Sequence, residues 1–212
     1  MPQQRSVEFV TSHGIRMDHL LYQPDEYQPE QDWPLMIFLH GAGERGNNLE
    51  MVKSHGPPKL IEQGKTFPFL VVSPQCEAGK WWRPDAVCHL LDKVIQTKVI
   101  DLKRIYLTGL SMGGYGTWST VAHSADRFAA AAPICGGGDP AQVNQHRQVP
   151  TWAFHGAKDP TVPLANTERM VAALKAVDGL IEFTVYPELA HDAWTQTYEN
   201  LALYEWMLKQ SK

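Results

Sequence analysis

The stretch RIYLTGLSMGGYGTW, Arg104 to Trp118, decides the fold. RIYLT is a short, mostly apolar run with the look of a buried strand, and YGTWSTVAH has the look of a helix. Between them lies Gly109-Leu110-Ser111-Met112-Gly113, followed by Gly114. A G-x-S-x-G segment between a strand and a helix is a sharp turn that strains the backbone of its central residue and pushes that side chain out at the sheet edge. Glycines two residues to either side remove side chains that would collide with the neighbouring strand and helix. Ser111 then stands at a helix N-terminus, where developing negative charge is favoured. The serine is read as a nucleophile.

The rest of the chain supplies the sheet that such a turn needs. Leu35–Leu39 and Phe69–Val72 are continuous apolar runs, as expected of strands buried on both faces. Arg104–Thr108, Ala129–Ile134, Thr151–Phe154 and Glu182–Tyr186 follow in the same style. Ser6–Thr11 and Met17–Gln23 read as an opening antiparallel pair joined at His13-Gly14. Helical spacing appears over Asp85–Lys98, around Met170–Val177 and from Trp194 to Leu208. Asn48 is a candidate cap for a short helix that Gly56-Pro57-Pro58 would break. The alternation predicts an α/β chain whose residues 1–212 form one domain, with about eight mostly parallel strands and helices on both faces. No long insertion follows Ala129–Ile134, so no large lid is expected.

A serine nucleophile needs a base, an acid to orient the base and donors for an oxyanion. His40-Gly41-Ala42-Gly43 directly follows Leu35–Leu39. Next to a nucleophile turn, the loop after this strand supplies one oxyanion N–H and the residue after the nucleophile supplies the other, which selects Ala42 and Met112. His40 is read as a brace for that loop. The chain order serine, acid, histidine selects Asp159, in the loop after Thr151–Phe154, and His191, in the loop after Glu182–Tyr186. Asp139, after the preceding strand, is the alternative acid, although Gly138 and Pro140 give it a turn setting. His155 comes before Asp159 and has the wrong order for the base. Asp192 is read as a helix cap.

The segments FLHGAGERG, DLKRIYLTGLSMGGYGTW, RFAAAAPICGGGDP, AFHGAKDPTVP and HDAWTQTY together resemble the dienelactone hydrolase and phospholipase/carboxylesterase branch of the α/β-hydrolases. They are most similar to its small esterases and predicted peptidases. The resemblance runs from about Leu35 onward. It implies an α/β-hydrolase fold and ester hydrolysis through Ser111, Asp159 and His191 without a cofactor. Dienelactone hydrolases proper carry a cysteine where this chain has Ser111, so that particular activity is not expected. Short-chain carboxylic esters are the expected substrates. A peptidase or amidase of the prolyl-oligopeptidase type, a thioesterase and a non-catalytic binding module are the other readings.

Composition narrows the partners. A net charge of −4 without runs of one sign gives no footprint for nucleic acid or an anionic membrane. The sequence has no H-E-x-x-H, no Cys-x-x-Cys and no phosphate-binding loop, so neither a metal nor a nucleotide cofactor is expected. The partner is expected to be a small-molecule ester, and the sequence does not address oligomeric state. Three scattered cysteines, Cys76, Cys88 and Cys135, and no leader-like start suit reduced thiols in the cytoplasm. Trp81, Trp82 and Trp194 are either an aromatic wall for substrate or core packing.

Overall fold

Leu35, Ile37 and Leu39 face one side of strand β3 (Trp33–Leu39), Met36 and Phe38 face the other, and all five are fully buried. A strand apolar on both faces must be covered twice, and the computed structural model, which describes residues 4–212, covers it twice. The other strands are β1 (Gln4–Val7), β2 (His19–Tyr22), β4 (Leu70–Pro74), β5 (Ile100–Leu110), β6 (Ala130–Ile134), β7 (Thr151–Gly156) and β8 (Ile181–Tyr186). They form one sheet in the order β1-β2-β4-β3-β5-β6-β7-β8. β2 is antiparallel to both of its neighbours, and the strands from β4 through β8 pair in parallel. This is the α/β-hydrolase architecture.

The helices are α1 (Gly56–Glu62), α2 (Pro84–Thr97), α3 (Met112–His123), α4 (Val143–His146), α5 (Ala165–Ala176), α6 (Ala193–Glu199) and α7 (Leu201–Leu208). Val87, Leu90, Leu91 and Val94 of α2 and Met112 and Val121 of α3 share a core with Leu35, Ile37 and Leu39. Ile61 of α1, Trp194 and Tyr198 of α6, and Leu203 and Met207 of α7 pack with Met36 and Phe38 on the other face. Among the described residues no helix is long and apolar enough to cross a membrane.

Three local expectations are corrected. The opening pair is antiparallel and β2 falls within Met17–Gln23, but β1 starts two residues before the expected Ser6 and ends at Val7, with Gln4 opposite Tyr22 and Val7 opposite His19. The Asp18 carboxylate takes the Phe9 N–H at 3.0 Å, and only the single bridge Val10–Arg16 continues towards the turn at Gly14. Gly56-Pro57-Pro58 starts a helix instead of breaking one, because prolines in a first turn give up N–H groups that have no intrahelical acceptor. Asn48 does cap the 3₁₀ segment Leu49–Ser54. The C-terminal helix is two helices: Asn200 leaves the helical path and its side chain accepts the Ala202 N–H at 3.0 Å, capping α7.

The ends of β3 and β5 approach each other closely. Ser111 has φ 52° and ψ −116°, a conformation costly for a residue with a side chain. It is held by its N–H to Ile134 O at 2.9 Å and its carbonyl to Tyr115 N at 3.1 Å. A Cβ on Gly113 would stand 1.9 Å from Leu39 O, and one on Gly109 would stand 2.4 Å from Gly113 O. The loop leaving β3 is braced as tightly. His40, fully buried, donates from Nδ1 to Gly41 O at 2.6 Å and accepts the Cys76 N–H at Nε2 at 2.9 Å. The Trp82 indole donates to His40 O at 2.9 Å. Burial holds the His40 imidazole down at about 4, so it stays neutral and serves the loop as a brace.

Two measurements follow from these contacts. Gly113→Ala, forced against a backbone carbonyl, should lower unfolding stability by about 3 kcal/mol or more in a denaturant titration, and a loss under about 1 kcal/mol would contradict the contact. The His40 effect has a defined sign. As pH falls from 6.5 towards 4 the unfolded chain takes a proton that folded His40 refuses, so stability is whole above 6.5 and drains away below it. The drop from this residue should reach about 3 kcal/mol. Melting curves at pH 7 and pH 4.5 should differ clearly less in His40→Gln than in the parent chain, and equal pH slopes would refute the assignment.

Candidate active site

Three loops meet at the C-terminal edge of the sheet. Ser111 follows β5, Asp159 follows β7 and His191 follows β8. The last two loops run side by side because β7 and β8 are paired throughout, from Thr151–Ile181 to Gly156–Tyr186. The pairing continues past the strands, with Ala157 N to Tyr186 O and Lys158 N to Leu189 O, each 2.9 Å. A Cβ on Gly156 would stand 2.1 Å from Ala190 O, so glycine is what allows the His191 loop to close over the Asp159 loop.

The side chains form one chain of hydrogen bonds. His191 Nε2 is 2.9 Å from Ser111 Oγ, and His191 Nδ1 is 2.6 Å from Asp159 Oδ2. The Asp159 side chain is fully buried. Its Oδ1 accepts the N–H groups of Thr161 and Val162, both at 2.9 Å. Burial pushes the Asp159 carboxyl up, but the His191 hydrogen bond and the Val162 and Thr161 N–H groups outweigh it and leave it below the ordinary carboxylate range. Asp139 does not join this group: its carboxylate accepts the Ala141 N–H at 3.0 Å and caps a 3₁₀ turn. Asp192 caps α6 through the Thr195 N–H at 3.2 Å.

Ala42 and Met112 each begin a helical turn, the 3₁₀ segment Ala42–Glu44 and α3 respectively, so their N–H groups have no intrahelical acceptor. The Ala42 turn is fixed by two side chains that the sequence did not single out. Arg45 Nε donates to Ala42 O at 2.9 Å, and Gln75 Nε2 donates to Glu44 O at 2.7 Å and Asn48 O at 2.9 Å.

His155, set aside as a base on chain order, lies against Asp159 instead. Its Nε2 is 3.2 Å from Asp159 Oδ2 and 2.9 Å from Val162 O. Its Nδ1 is 2.7 Å from Thr167 Oγ1, whose hydroxyl donates to Gly136 O at 2.6 Å. One carboxylate oxygen is thus approached by two imidazoles, and the HG in HGAKD was the available signal. Cys135, His155 and Asp159 present ligand-type atoms within 4.8 Å of one another. Asp159 is committed to His191, and burial pushes the Cys135 thiol up to about 12, so this grouping reads as part of the surroundings of Asp159.

The tryptophans divide. Trp82 is buried, and a Cβ on Gly116 would stand 2.8 Å from its own, so it packs on α3 and holds the His40 carbonyl. Trp194 is buried with its ring 4.9 Å from His191 and 5.6 Å from His55. Trp81 is 61% exposed and edge-on to Tyr115, at 6.1 Å. A cleft of about 420 Å³ opens beside Trp81, but Ser111 does not line it. Hydrogen-bond continuity, not concavity, therefore marks the candidate site.

Comparison with known proteins agrees with this architecture. The model of the dienelactone hydrolase family matches residues 82–204, more than half of the chain. A bifunctional acetylxylan esterase/xylanase of Neocallimastix patriciarum is 28% identical over 159 residues, 72% of this chain and 23% of that protein. Poly(3-hydroxyalkanoate) depolymerase C of Paucimonas lemoignei is 32% identical over 121 residues, 49% of this chain and 28% of the depolymerase. The chain thus spans under a third of these relatives' lengths. The crystal structure of a thermostable esterase superposes with TM-score 0.88 at 32% identity, covering 99% of this chain and 63% of the esterase. The feruloyl esterase module from Clostridium thermocellum superposes with TM-score 0.74 at 18% identity, covering 97% of this chain and 87% of the module, a likeness of fold. With the matched segment running from Trp82 in the loop before α2 to Tyr204 in α7, and so including Ser111, Asp159 and His191, the chain belongs to the dienelactone hydrolase family.

Proposed function

We propose that this chain is a serine carboxylic-ester hydrolase that cleaves short-chain acyl esters through an acyl-enzyme. The observation that carries the reading is the unbroken line from Asp159 through His191 to Ser111 Oγ, with links of 2.6 and 2.9 Å. His191 Nε2 takes the Ser111 proton as Oγ attacks the ester carbonyl. The Ala42 and Met112 N–H groups receive the negative oxygen. His191 returns the proton to the departing alcohol, leaving the acyl group on Ser111. Water, deprotonated by the same imidazole, releases the acid and restores the hydroxyl. Asp159 holds the imidazole in the productive tautomer and supports its charged form. The named relatives that are esterases point to oxygen esters before thioesters or amides.

The preference for short acyl chains rests on the loop between β6 and β7, which contributes only a 3₁₀ turn and the four-residue α4 and so gives little apolar cover. A small ester free in solution is the expected partner.

Ser111→Ala should lower ester hydrolysis by roughly 10³-fold or more while the fold persists. Asp159→Asn should cost up to about 10⁴-fold in kcat, and Asp139→Asn under about tenfold. Steady-state rates at neutral pH with circular dichroism on each variant test both. Retention of more than about a tenth of the activity in Ser111→Ala, or a severe loss in Asp139→Asn alone, would overturn the roles. Across matched acyl lengths, acetate to butyrate esters should be cleaved faster than long ones, without a jump in rate when lipid droplets form. Matched thioester and amide substrates should be slower than the oxygen ester, and a reversal there would move the chain to a different hydrolase class.

A further inference from the structure

One wall of the site is left unused by these steps. Glu44 closes the 3₁₀ turn that begins at Ala42, and its side chain is only 9% exposed. Among the described residues its carboxylate nevertheless has no hydrogen-bond partner. Its Oε2 is buried without a partner, and Oε1 lies 3.7 Å from His55 Nε2, beyond bonding reach. His40 Nδ1 is 3.9 Å from Oε2, but its proton goes to Gly41 O. The neighbours repeat the pattern: His55 Nδ1 and Trp194 Nε1 are also buried without partners, and their rings meet edge-on at 5.6 Å.

This wall borders the reacting atoms. The position that a Gly41 Cβ would take is 3.2 Å from Glu44 Oε2 and 3.7 Å from Ser111 Cβ. Trp194 touches His191 on the same side. A buried carboxylate without a donor from the protein is unfavourable, so a donor arriving with the substrate would be favoured beside it. The chemistry of the wall selects among donors. An ammonium group would satisfy Glu44 but offer nothing to an imidazole or indole N–H. A carbonyl would suit the N–H groups and be repelled by the carboxylate. A hydroxyl both donates and accepts, and at the edge between Glu44 Oε1 and His55 Nε2 it can serve both.

We propose that Glu44 and His55 form a subsite for a free hydroxyl carried next to the scissile ester, so that the preferred substrates are partly acylated polyols or sugars. This rests on the esterase reading and narrows it to a substrate class.

The test uses 2-hydroxyethyl acetate and propyl acetate, which differ by a hydroxyl in place of a methyl, with rates corrected for each ester's reaction with hydroxide. p-Nitrophenyl acetate, which carries no hydroxyl, reports on Ser111 separately. The parent chain should favour the hydroxylated ester at least about tenfold in kcat/KM. Glu44→Gln and His55→Phe should each reduce that ratio to under about threefold. No preference in the parent chain, or a preference that survives both substitutions, would overturn the subsite while leaving the esterase reading intact. Failure to cleave p-nitrophenyl acetate in a Ser111-dependent way would remove the esterase reading and the subsite together. A second measurement needs no variant: ethylene glycol should capture the acyl group from the acyl-enzyme better than propanol at equal concentration, forming the monoester and freeing Ser111. Equal capture would refute the subsite even if the substituted chains failed to fold.

Discussion

Three strand ends and one helix meet at the Ser111 turn with backbone against backbone. Gly113 lies against Leu39 O at the end of β3, Gly114 against Ile134 O at the end of β6, and Gly136 against Gly114. None of these positions has room for a methyl group, so the approach is fixed by the chain itself and not by side-chain packing. This contact lets Ser111 keep its costly backbone angles, because the residue cannot relax without lifting α3 off two strands. The same contact brings the turn at Ala42 to the start of α3, so that two helical N-termini share one neighbourhood. The strain, the exposure of the hydroxyl and the pair of free N–H groups are three results of one steric arrangement.

The proposed acid and base, Asp159 and His191, depend on a separate device. The paired strands β7 and β8 deliver two loops in register, and Gly156 lets one close over the other. The Asp159 carboxylate is then surrounded by the Thr161 and Val162 N–H groups, His191 and His155. A carboxylate with this many partners stays charged although buried. Asp139, one strand earlier, has a single local partner and an exposed turn. Neighbouring strands, not spacing along the chain, separate the two candidates.

Much of this was legible in the sequence because it depends on short-range rules. Continuous apolar runs marked the strands, and G-x-S-x-G marked the turn because sterics at that turn leave little choice of residue. The order of Ser111, Asp159 and His191 followed from loops at one edge of a parallel sheet. What the sequence did not reveal depends on partners distant along the chain. Gln75 reaches the Glu44 turn across 31 positions, and the Cys76 N–H reaches His40 across 36. Nothing local marks either residue. His155 was set aside as a base on chain order, which left open what it does instead, and it sits against the Asp159 carboxylate. The two-proline segment and the break at Asn200 were misjudged because the same residues that end one helix can begin another, and only the direction of the chain decides which.

The two sides of Ser111 are built differently, and that asymmetry bears on recognition. Towards His191 stand Glu44, His55 and Trp194, a polar wall in which Glu44 Oε2, His55 Nδ1 and Trp194 Nε1 are buried without a partner among the described residues. Towards Trp81 and Tyr115 the surface is aromatic and exposed, with Tyr115 held by the Asn166 amide at 2.8 Å. The oxyanion loop joins the two, since Glu44 belongs to the polar wall and the neighbouring Arg45 donates to Lys80 O, beside Trp81. Arg45 also holds the Ala42 carbonyl, so one short turn positions the proposed oxyanion donor, a buried carboxylate and the edge of the aromatic side. A substrate that engaged either wall would therefore press on the same turn that is proposed to receive the oxyanion, and under that proposal recognition and the chemical step are linked through residues 42–45.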